Sequence, residues 1–334
     1  MGPRATIGDV AREAGVSQMS VSRAVRGIEG VSETTRAHVL SVAARLGYQP
    51  NYNARSLAIS RSRLIGVSVP TLIDEVFGDI LDALHQALEQ SGFDVIMVTS
   101  RYDREAEANW VERMLKWLPA GLVLTGDDHS SGLAERLRLV DLPVVELWDA
   151  VADPIDISVG IDHRRVGAQA AEHLLRTGCR NVCLVGLDGR RDPRAEKRFG
   201  GFIEAFAPHG TVDVHRIDGT ASFEAGHQAI MRLHGADRAA RDGYFFLNDH
   251  LAFGGLCALE ALGIDVPGAV AVMGFNDLGI NRVLNRRITT LSTPRRRIGE
   301  IAAQRLLARI NGAVTPATTE LEARLLQGQT TRRP

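Results

Sequence analysis

The segment Ser17-Gln18-Met19-Ser20-Val21-Ser22-Arg23-Ala24-Val25 holds the densest group of side chains able to recognise a ligand. As a helix, Gln18, Met19, Ser22 and Arg23 follow an i, i+1, i+4, i+5 spacing and share one face. Glutamine pairs with adenine, arginine with guanine, and methionine touches a thymine methyl, so this face suits a DNA major groove. Ser17 and Ser20 are short donors suited to phosphate oxygens near a helix N-terminus. The same spacing also describes a plain solvated face, and the surrounding elements must decide between the two.

Those elements form three short helices. Thr6-Ile7-Gly8-Asp9 fits a capping box, and helix one turns Val10, Ala11 and Ala14 inward before Gly15 stops it. Ser17 caps helix two, whose Val21 and Val25 pack inward. Ser32 caps helix three, predicted to bury Val39, Leu40, Ala43 and Leu46 before Gly47 ends it. Two short helices joined by a glycine-containing turn, followed by a third, make a helix-turn-helix. Residues 51–63 are polar and read as a linker with a short helix near 53–58, too short to persist undocked.

From residue 64 the pattern alternates. Strands are expected at 64–69, 94–98, 121–125, 143–147, 182–186, 212–217, 243–247 and 270–275. Amphipathic helices are expected near 77–91, 104–117, 131–140, 163–177, 195–206, 223–235, 249–262 and 294–311. Apolar strands with crossover helices imply parallel sheets covered on both faces. That many units exceed one sheet, so two lobes are predicted, with a break near 149–162 and a ligand site in the crevice between them. The fold class is an all-α head on an α/β core of two doubly wound parallel-sheet lobes.

Charge supports the division. Residues 1–63 carry a net +5, against −1 for the whole 334-residue chain, which leaves an acidic body behind a basic head. No apolar run approaches the ~18 residues that span a bilayer, and Asp9, Arg12 and Glu13 interrupt any signal-like stretch, so a cytoplasmic protein is expected. Cys179, Cys183 and Cys257 lack a metal-ligand pattern and read as reduced thiols. His163, His173, His227 and His250 are scattered and read mostly as solvated or helix-start residues. No glycine-rich dinucleotide or Walker-type loop, serine nucleophile elbow or metal cluster is present, so neither an enzyme nor a cofactor is expected. A sugar-acid enzyme with a helical head and a plain solute-binding protein are the competing classes. The basic head and absent signal argue against the latter.

The run Thr6 to Ser17, then Val21-Ser22-Arg23, Val31-Ser32 and Leu46-Gly47-Tyr48-Gln49-Pro50-Asn51, resembles the head of the lactose/galactose-repressor family. Asn53-Ala54-Arg55-Ser56-Leu57-Ala58 resembles its hinge helix, and the likeness continues through the core over nearly the whole chain. The resemblance implies base contacts from Gln18, Met19 and Arg23 and backbone contacts from Thr6, Ser17, Ser20 and Ser22. It implies further DNA contacts from Asn51, Arg55 and Ala58, with Leu57 wedged into the minor groove. It also implies a homodimer on a near-palindromic double-stranded operator, with residues near 72–90 and 278–285 on the dimer surface. The boundaries drawn are 1–50 for the DNA-binding domain, 51–63 for the hinge and 64–334 for the effector-binding core. Within the core, about 64–160 and 293–318 form the N-terminal lobe, and about 161–292 and 319–334 the C-terminal lobe. Without a terminal heptad repeat, a coiled-coil tetramer is not expected.

The core resembles the periplasmic sugar-binding fold that this family uses as a sensor. Pro70, Val76, Phe77, Arg198 and Asn248 match its cleft positions, and Asp149 and Asp162 lie where the chain crosses between lobes. Core packing of Phe77, a solvated Arg198 and helix capping by Asn248 or Asp249 are the plain alternatives. Where the family commonly reads Gly-aromatic-Asp, this chain has Gly274-Phe275-Asn276. An amide donates as well as accepts and does not repel an anion. Glu75-Val76-Phe77, Gly121 to Thr125, Pro143 to Asp149, Asp277-Leu278-Gly279 and Thr293 to Gly299 resemble the gluconate-operon-repressor branch. Gluconate or a related sugar acid is therefore the expected effector, acting by a population shift. A neutral sugar, or a ligand acting as corepressor, remains the alternative.

Overall fold

The structure is a computed structural model describing residues 5–48, 62–188, 192–236 and 241–333. It divides into two compact units, Met1–Ser62 and Arg63–Pro334.

The first unit contains α1 (Ile7–Ala14), α2 (Gln18–Arg26) and α3 (Glu33–Arg45). Thr6 and Asp9 form the reciprocal capping box, and Ser17 and Ser32 cap the other two helices by accepting from Ser20 N and Thr35 N. Gly15 and Gly27 end α1 and α2 with φ of 65° and 66°, the left-handed caps that glycine adopts without strain. Val10, Val21 and Val39 are fully buried at the centre, with Ala11, Ala14, Ala24, Val42 and Ala43 around them. Leu40 and Leu46 depart from expectation: they are 45% and 36% exposed, while Val42 takes the inward place. The inward stripe of α3 runs Val39–Val42–Ala43 at i, i+3, i+4, and Leu40 falls about 100° away from Val39.

The second unit alternates strands and helices: β1 (Leu64–Val69), α4 (Glu75–Gln90), β2 (Asp94–Thr99), α5 (Arg104–Leu115), β3 (Gly121–Thr125), α6 (Ser131–Leu139), β4 (Val144–Asp149) and β5 (Ile157–Ile161). The chain then continues through α7 (His163–Arg176), β6 (Asn181–Leu187), α8 (Pro193–Phe206), β7 (Thr211–Ile217), α9 (Phe223–Ala236), β8 (Gly243–Phe246), α10 (Asp249–Ala261) and β9 (Ala271–Asn276). It ends with β10 (Thr289–Ser292), α11 (Arg295–Ile310), β11 (Thr318–Glu320) and β12 (Arg324–Leu326). One six-stranded sheet runs β11-β5-β4-β3-β1-β2 and the other β12-β10-β9-β8-β6-β7. Every strand pairing is parallel except β10 with β12. Each sheet reverses its winding at its first strand, the geometry that leaves a crevice at the strand C-terminal ends.

The segment read as a break between lobes contains β5, which pairs in parallel with β4 and is wholly buried. The chain passes from the first sheet to the second after β5, returns between β10 and α11, and passes again between β11 and β12. The largest apolar cluster therefore runs on from Ile65 and Val123 to Phe202 and Phe245 without a gap.

Glycines set the closest helix approaches. A methyl on Gly201 of α8 would overlap the Arg164 carbonyl oxygen of α7, and one on Gly167 would overlap Arg198 O. Gly254 and Gly226 make the same approach between α10 and α9, and Gly299 of α11 lies against Ile80 O of α4. Gly201→Ala is expected to cost ~1–3 kcal/mol by overpacking, read as a lowered urea midpoint at unchanged slope. An unchanged midpoint would show that these helices can separate freely.

Candidate functional site

In the helical unit, α2 buries Val21 and Ala24 and leaves Gln18, Met19 and Arg23 outward, with Met19 61% exposed. Ser22 is half-buried, and its carbonyl accepts from Arg26 Nε at 2.9 Å. Ser17 and Ser20 sit together at the N-terminus of α2, their hydroxyls 3.0 Å apart. Thr6 is occupied as the N-cap of α1, its backbone N donating to Asp9 at 2.9 Å. An unburied methionine beside glutamine and arginine is a face built to be covered by something with both apolar and hydrogen-bonding features. Asn51, Arg55, Leu57 and Ala58 lie outside the described residues.

In the core, the effector candidates gather at strand ends and first helical turns. Pro70 follows β1 and is buried, and Val76 and Phe77 are buried in the first turn of α4. Asp149 ends β4 at 3% exposure, Asn276 ends β9 at 5%, and Arg198 lies on α8 at 3%. Asp162 caps α7 by accepting from Arg165 N and also pairs with Arg165. Asn248 caps α10, its Oδ1 accepting from Leu251 N at 3.0 Å. Both side chains thus do capping work, the plain role weighed for Asn248 from sequence.

Helix α8 carries more of the site than Arg198 alone. Lys197 Nζ crosses to the first lobe and lies 2.8 Å from Asp127 Oδ1 and 3.2 Å from Asp149 Oδ1. Arg194 reaches Asp192 at 3.4 Å and lies over the rings of Phe77 at 6.0 Å and Tyr102 at 5.7 Å. Arg198 donates to His163 Nδ1 at 2.9 Å, lies 3.7 Å from Asp192 and stacks 4.3 Å over Phe275. Trp148, His163 and Phe275 close the floor as a cluster of ring contacts. Burial raises the Asp149 carboxyl above its usual range, with Lys197 and Arg194 pulling the other way. Burial, then Arg198, Arg194 and Lys197, hold His163 far below the usual imidazole range, so it is neutral. Its Nδ1 accepts from Arg198, and its Nε2 is 3.9 Å from Asp149, beyond hydrogen-bond reach.

Among the described residues, Asp149 Oδ2 and Arg198 Nε are buried without a hydrogen-bond partner. One is an acceptor and the other a charged donor, at a site where leaving either unmet is costly. A ligand with hydroxyls and an anionic group would satisfy both. A cavity of about 770 Å³ is lined by Tyr102, Asp103, Arg104, Glu105 and Asp128 from one lobe and Pro193 and Glu196 from the other, and none of the effector candidates lines it. That volume is in the range of small-molecule sites.

Sequence reading missed Arg194, Lys197, Asp127, Asp192 and Tyr102. The i, i+3, i+4 spacing of Arg194, Lys197 and Arg198 was a usable signal for one basic helix face. His163 is a helix-start residue as expected, though 1% exposed, whereas His173 is a correction, being neither solvated nor at a helix start and 0% exposed. His173 faces inward near the end of α7 and bonds Thr331 at 2.8 Å.

A second buried charge cluster lies in the first lobe. His129 Nδ1 is 2.6 Å from Glu107 and its Nε2 3.5 Å from Glu146, all three nearly inaccessible. Ser68 donates to Glu107 at 2.9 Å and Ile155 N to Glu146 at 2.6 Å. Burial works against the imidazolium, but the two glutamates outweigh it and raise His129 to about 10.

Known proteins place both units. Residues 6–51 match the family described as bacterial regulatory proteins, lacI family. Residues 62–328 match the family described as periplasmic binding proteins and sugar binding domain of LacI family. The HTH-type transcriptional regulator GntR of Escherichia coli K12 is 33% identical over 97% of this chain and 98% of its own. A transcriptional regulator of the LacI family from Silicibacter pomeroyi superposes with a TM-score of 0.91 at 34% identity, covering 98% of this chain and 100% of that one. The lac repressor dimer bound to operator and the anti-inducer ONPF superposes at 0.82 with 25% identity, covering 98% and 99%.

The His129 cluster makes a pH prediction. Its folded value of about 10 stands above the ordinary 6.5, so its contribution is full below pH 6.5 and disappears as pH rises through 10. His129→Gln leaves two buried glutamates without a counter-ion and is expected to lose ~3–5 kcal/mol at pH 7. The gap between wild type and variant, from urea unfolding at several pH values, should narrow toward pH 10.5. A gap independent of pH would mean that His129 is not charged in the fold.

Proposed function

The chain belongs to the lacI family of bacterial regulatory proteins, and on that premise we propose that it is a repressor whose hold on a near-palindromic operator is set by a sugar acid bound between the core lobes. The family and the relatives are transcriptional regulators, not enzymes. Residues 1–50 would grip the DNA, 51–63 act as hinge, and 64–334 sense the effector. Gln18, Met19 and Arg23 are the proposed base readers, because they form the outward face of α2. Thr6, Ser17, Ser20 and Ser22 would meet phosphates, and Asn51, Arg55, Leu57 and Ala58 the hinge site. The lac repressor neighbour is a dimer on its operator, which supports a homodimer here with one head per half-site. No helix among the described residues is long and apolar enough to cross a membrane, and a DNA-reading role would put the protein in the cytoplasm.

The observation that supports the effector class is the cation set of α8, with Arg194 and Arg198 buried and Lys197 half-buried, in a core where Asn276 stands in place of the family's carboxylate. Three cations near a buried unmet N–H favour an anionic group. Aspartates 127 and 149 accept from hydroxyls. Gluconate and ketogluconates combine both features. Pro70, Val76 and Phe77 would line the apolar side, while Asp149, Asp162, Arg198, Asn248 and Asn276 supply the polar contacts. Ligand would then favour a core conformation less able to hold both heads at operator spacing, through its difference in affinity for the two states.

Calorimetric titration is expected to show gluconate or a ketogluconate binding at least tenfold tighter than neutral hexoses. Asn276→Asp should erase that preference. A wild-type preference for neutral sugars would sink the acid reading. On DNA, Arg23→Ala is expected to cost ~1–3 kcal/mol on the operator and little on random duplex, with affinity falling steeply as salt rises. Equal losses on both duplexes would move Arg23 from base reading to phosphate contact.

A further inference from the structure

Arg295, the first residue of α11, is 5% exposed and bonded to both lobes at once. Toward the second sheet, its Nη1 donates to the Asn276 carbonyl at 2.6 Å and its Nη2 to the Asp277 carbonyl at 3.5 Å. Toward the first, its Nε donates to Asp79 Oδ2 at 2.7 Å, and its Nη2 lies 3.6 Å from Glu75 Oε1, both acids on α4. Glu75 Oε1 also accepts from Gly279 N at 2.7 Å. One guanidinium and one carboxylate thus tie the turn after β9 to the start of α4.

That turn has an unusual backbone. Asn276 and Asp277 have φ of 102° and 54°, two consecutive non-glycine residues in left-handed territory. Such a pair persists only where its surroundings hold it. Arg295 holds both carbonyls. From the other side, Asp249 accepts from Leu278 N at 2.8 Å and from Thr290 Oγ1 at 2.7 Å. Asn276 meanwhile ends β9, next in the chain to Phe275, on whose ring Arg198 stacks, and its Oδ1 accepts from Thr293 Oγ1 at 3.3 Å. A ligand that displaces Asn276 would therefore act on the backbone whose carbonyls Arg295 grips. Helix α4 is the first helix of the lobe that follows the DNA-binding unit in the chain.

We infer that Arg295 is a positioning residue that couples effector binding at Asn276 to helix α4, with Asp79 as the carboxylate that receives the change. The inference rests on the reading of the cleft as a sugar-acid site. Its chemical basis is the fork of donors on arginine, which can hold two carbonyls and two carboxylates in fixed directions. A lysine ammonium at the same place is a point charge and cannot.

The test compares the full-length wild type with Asp79→Asn and Arg295→Lys. Gluconate affinity is measured by calorimetry, and operator affinity with and without saturating gluconate by mobility shift. Asp79 is half-exposed on α4 and bonds neither Asn276 nor any proposed ligand contact. Asp79→Asn should keep gluconate affinity within about threefold, yet shrink the gluconate-induced change in operator affinity at least tenfold. Arg295→Lys should shrink that change as much, and the double variant should do no worse than either single one, because both remove one shared link. An Asp79→Asn protein that responds to gluconate as the wild type does overturns the coupling, as do additive losses in the double variant. A wild type that binds its operator but ignores gluconate and ketogluconates overturns the cleft reading, and the inference with it.

Discussion

Two arginines about one turn apart on a single helix cannot both be buried unless something answers their charge. Helix α8 buries Arg194 and Arg198 and answers both with its own N-cap, Asp192, while its half-buried Lys197 reaches Asp127 and Asp149 of the first lobe. Only the Lys197 pairs cross between the lobes, so parting the lobes would separate those charges while Asp192 stays with the two arginines. Desolvation of so many charges leaves only a small net gain. A site balanced in this way responds to a modest ligand, since an incoming carboxylate or hydroxyl set exchanges with contacts already present. The neutral His163 beneath Arg198 belongs to the same balance, because a positive charge there would be buried and would add to those of Arg198, Arg194 and Lys197.

Much of the architecture was readable from periodicity. All eight core helices and the eight apolar strands expected from the alternation are present, with ends shifted by a few residues at most. The strands that escaped notice are β5, β10, β11 and β12. The last two have three residues each, and β10 is Thr-Thr-Leu-Ser, so these three carry no apolar run, whereas β5 alternates Ile157, Val159 and Ile161 within the segment read as a break. Their pairing partners make them strands, and pairing over long sequence distance leaves no local mark. Leu40 and Leu46 failed for the opposite reason. They are apolar, but their angular position on α3 turns them away from the small core of the head.

The site was legible only in part, for a related reason. Motif positions such as Asp149 and Asn276 stand at the ends of strands, where a doubly wound fold is expected to place ligand contacts. Partner residues could not be seen that way. Asp127 lies in a loop with ordinary composition, and only the packing of α8 across the cleft gives it a cation. Glu107, His129 and Glu146 come from a helix, a loop and a strand, and no spacing connects them before the sheet is assembled. The histidines misled because burial decides their chemistry, and burial belongs to the fold.

The lightness of the DNA-binding unit has a consequence of its own. Its buried centre contains nothing larger than valine, and a domain this small removes a modest fraction of its surface from water. The larger unit, stitched by three passes of the chain between sheets, has no such weakness. Heating should therefore melt the head while the sensor stays intact. Anything that binds only the ordered form raises its melting point by mass action. The operator is then a folding partner as well as a target, and a repressor molecule released from the chromosome is the form most exposed to proteases.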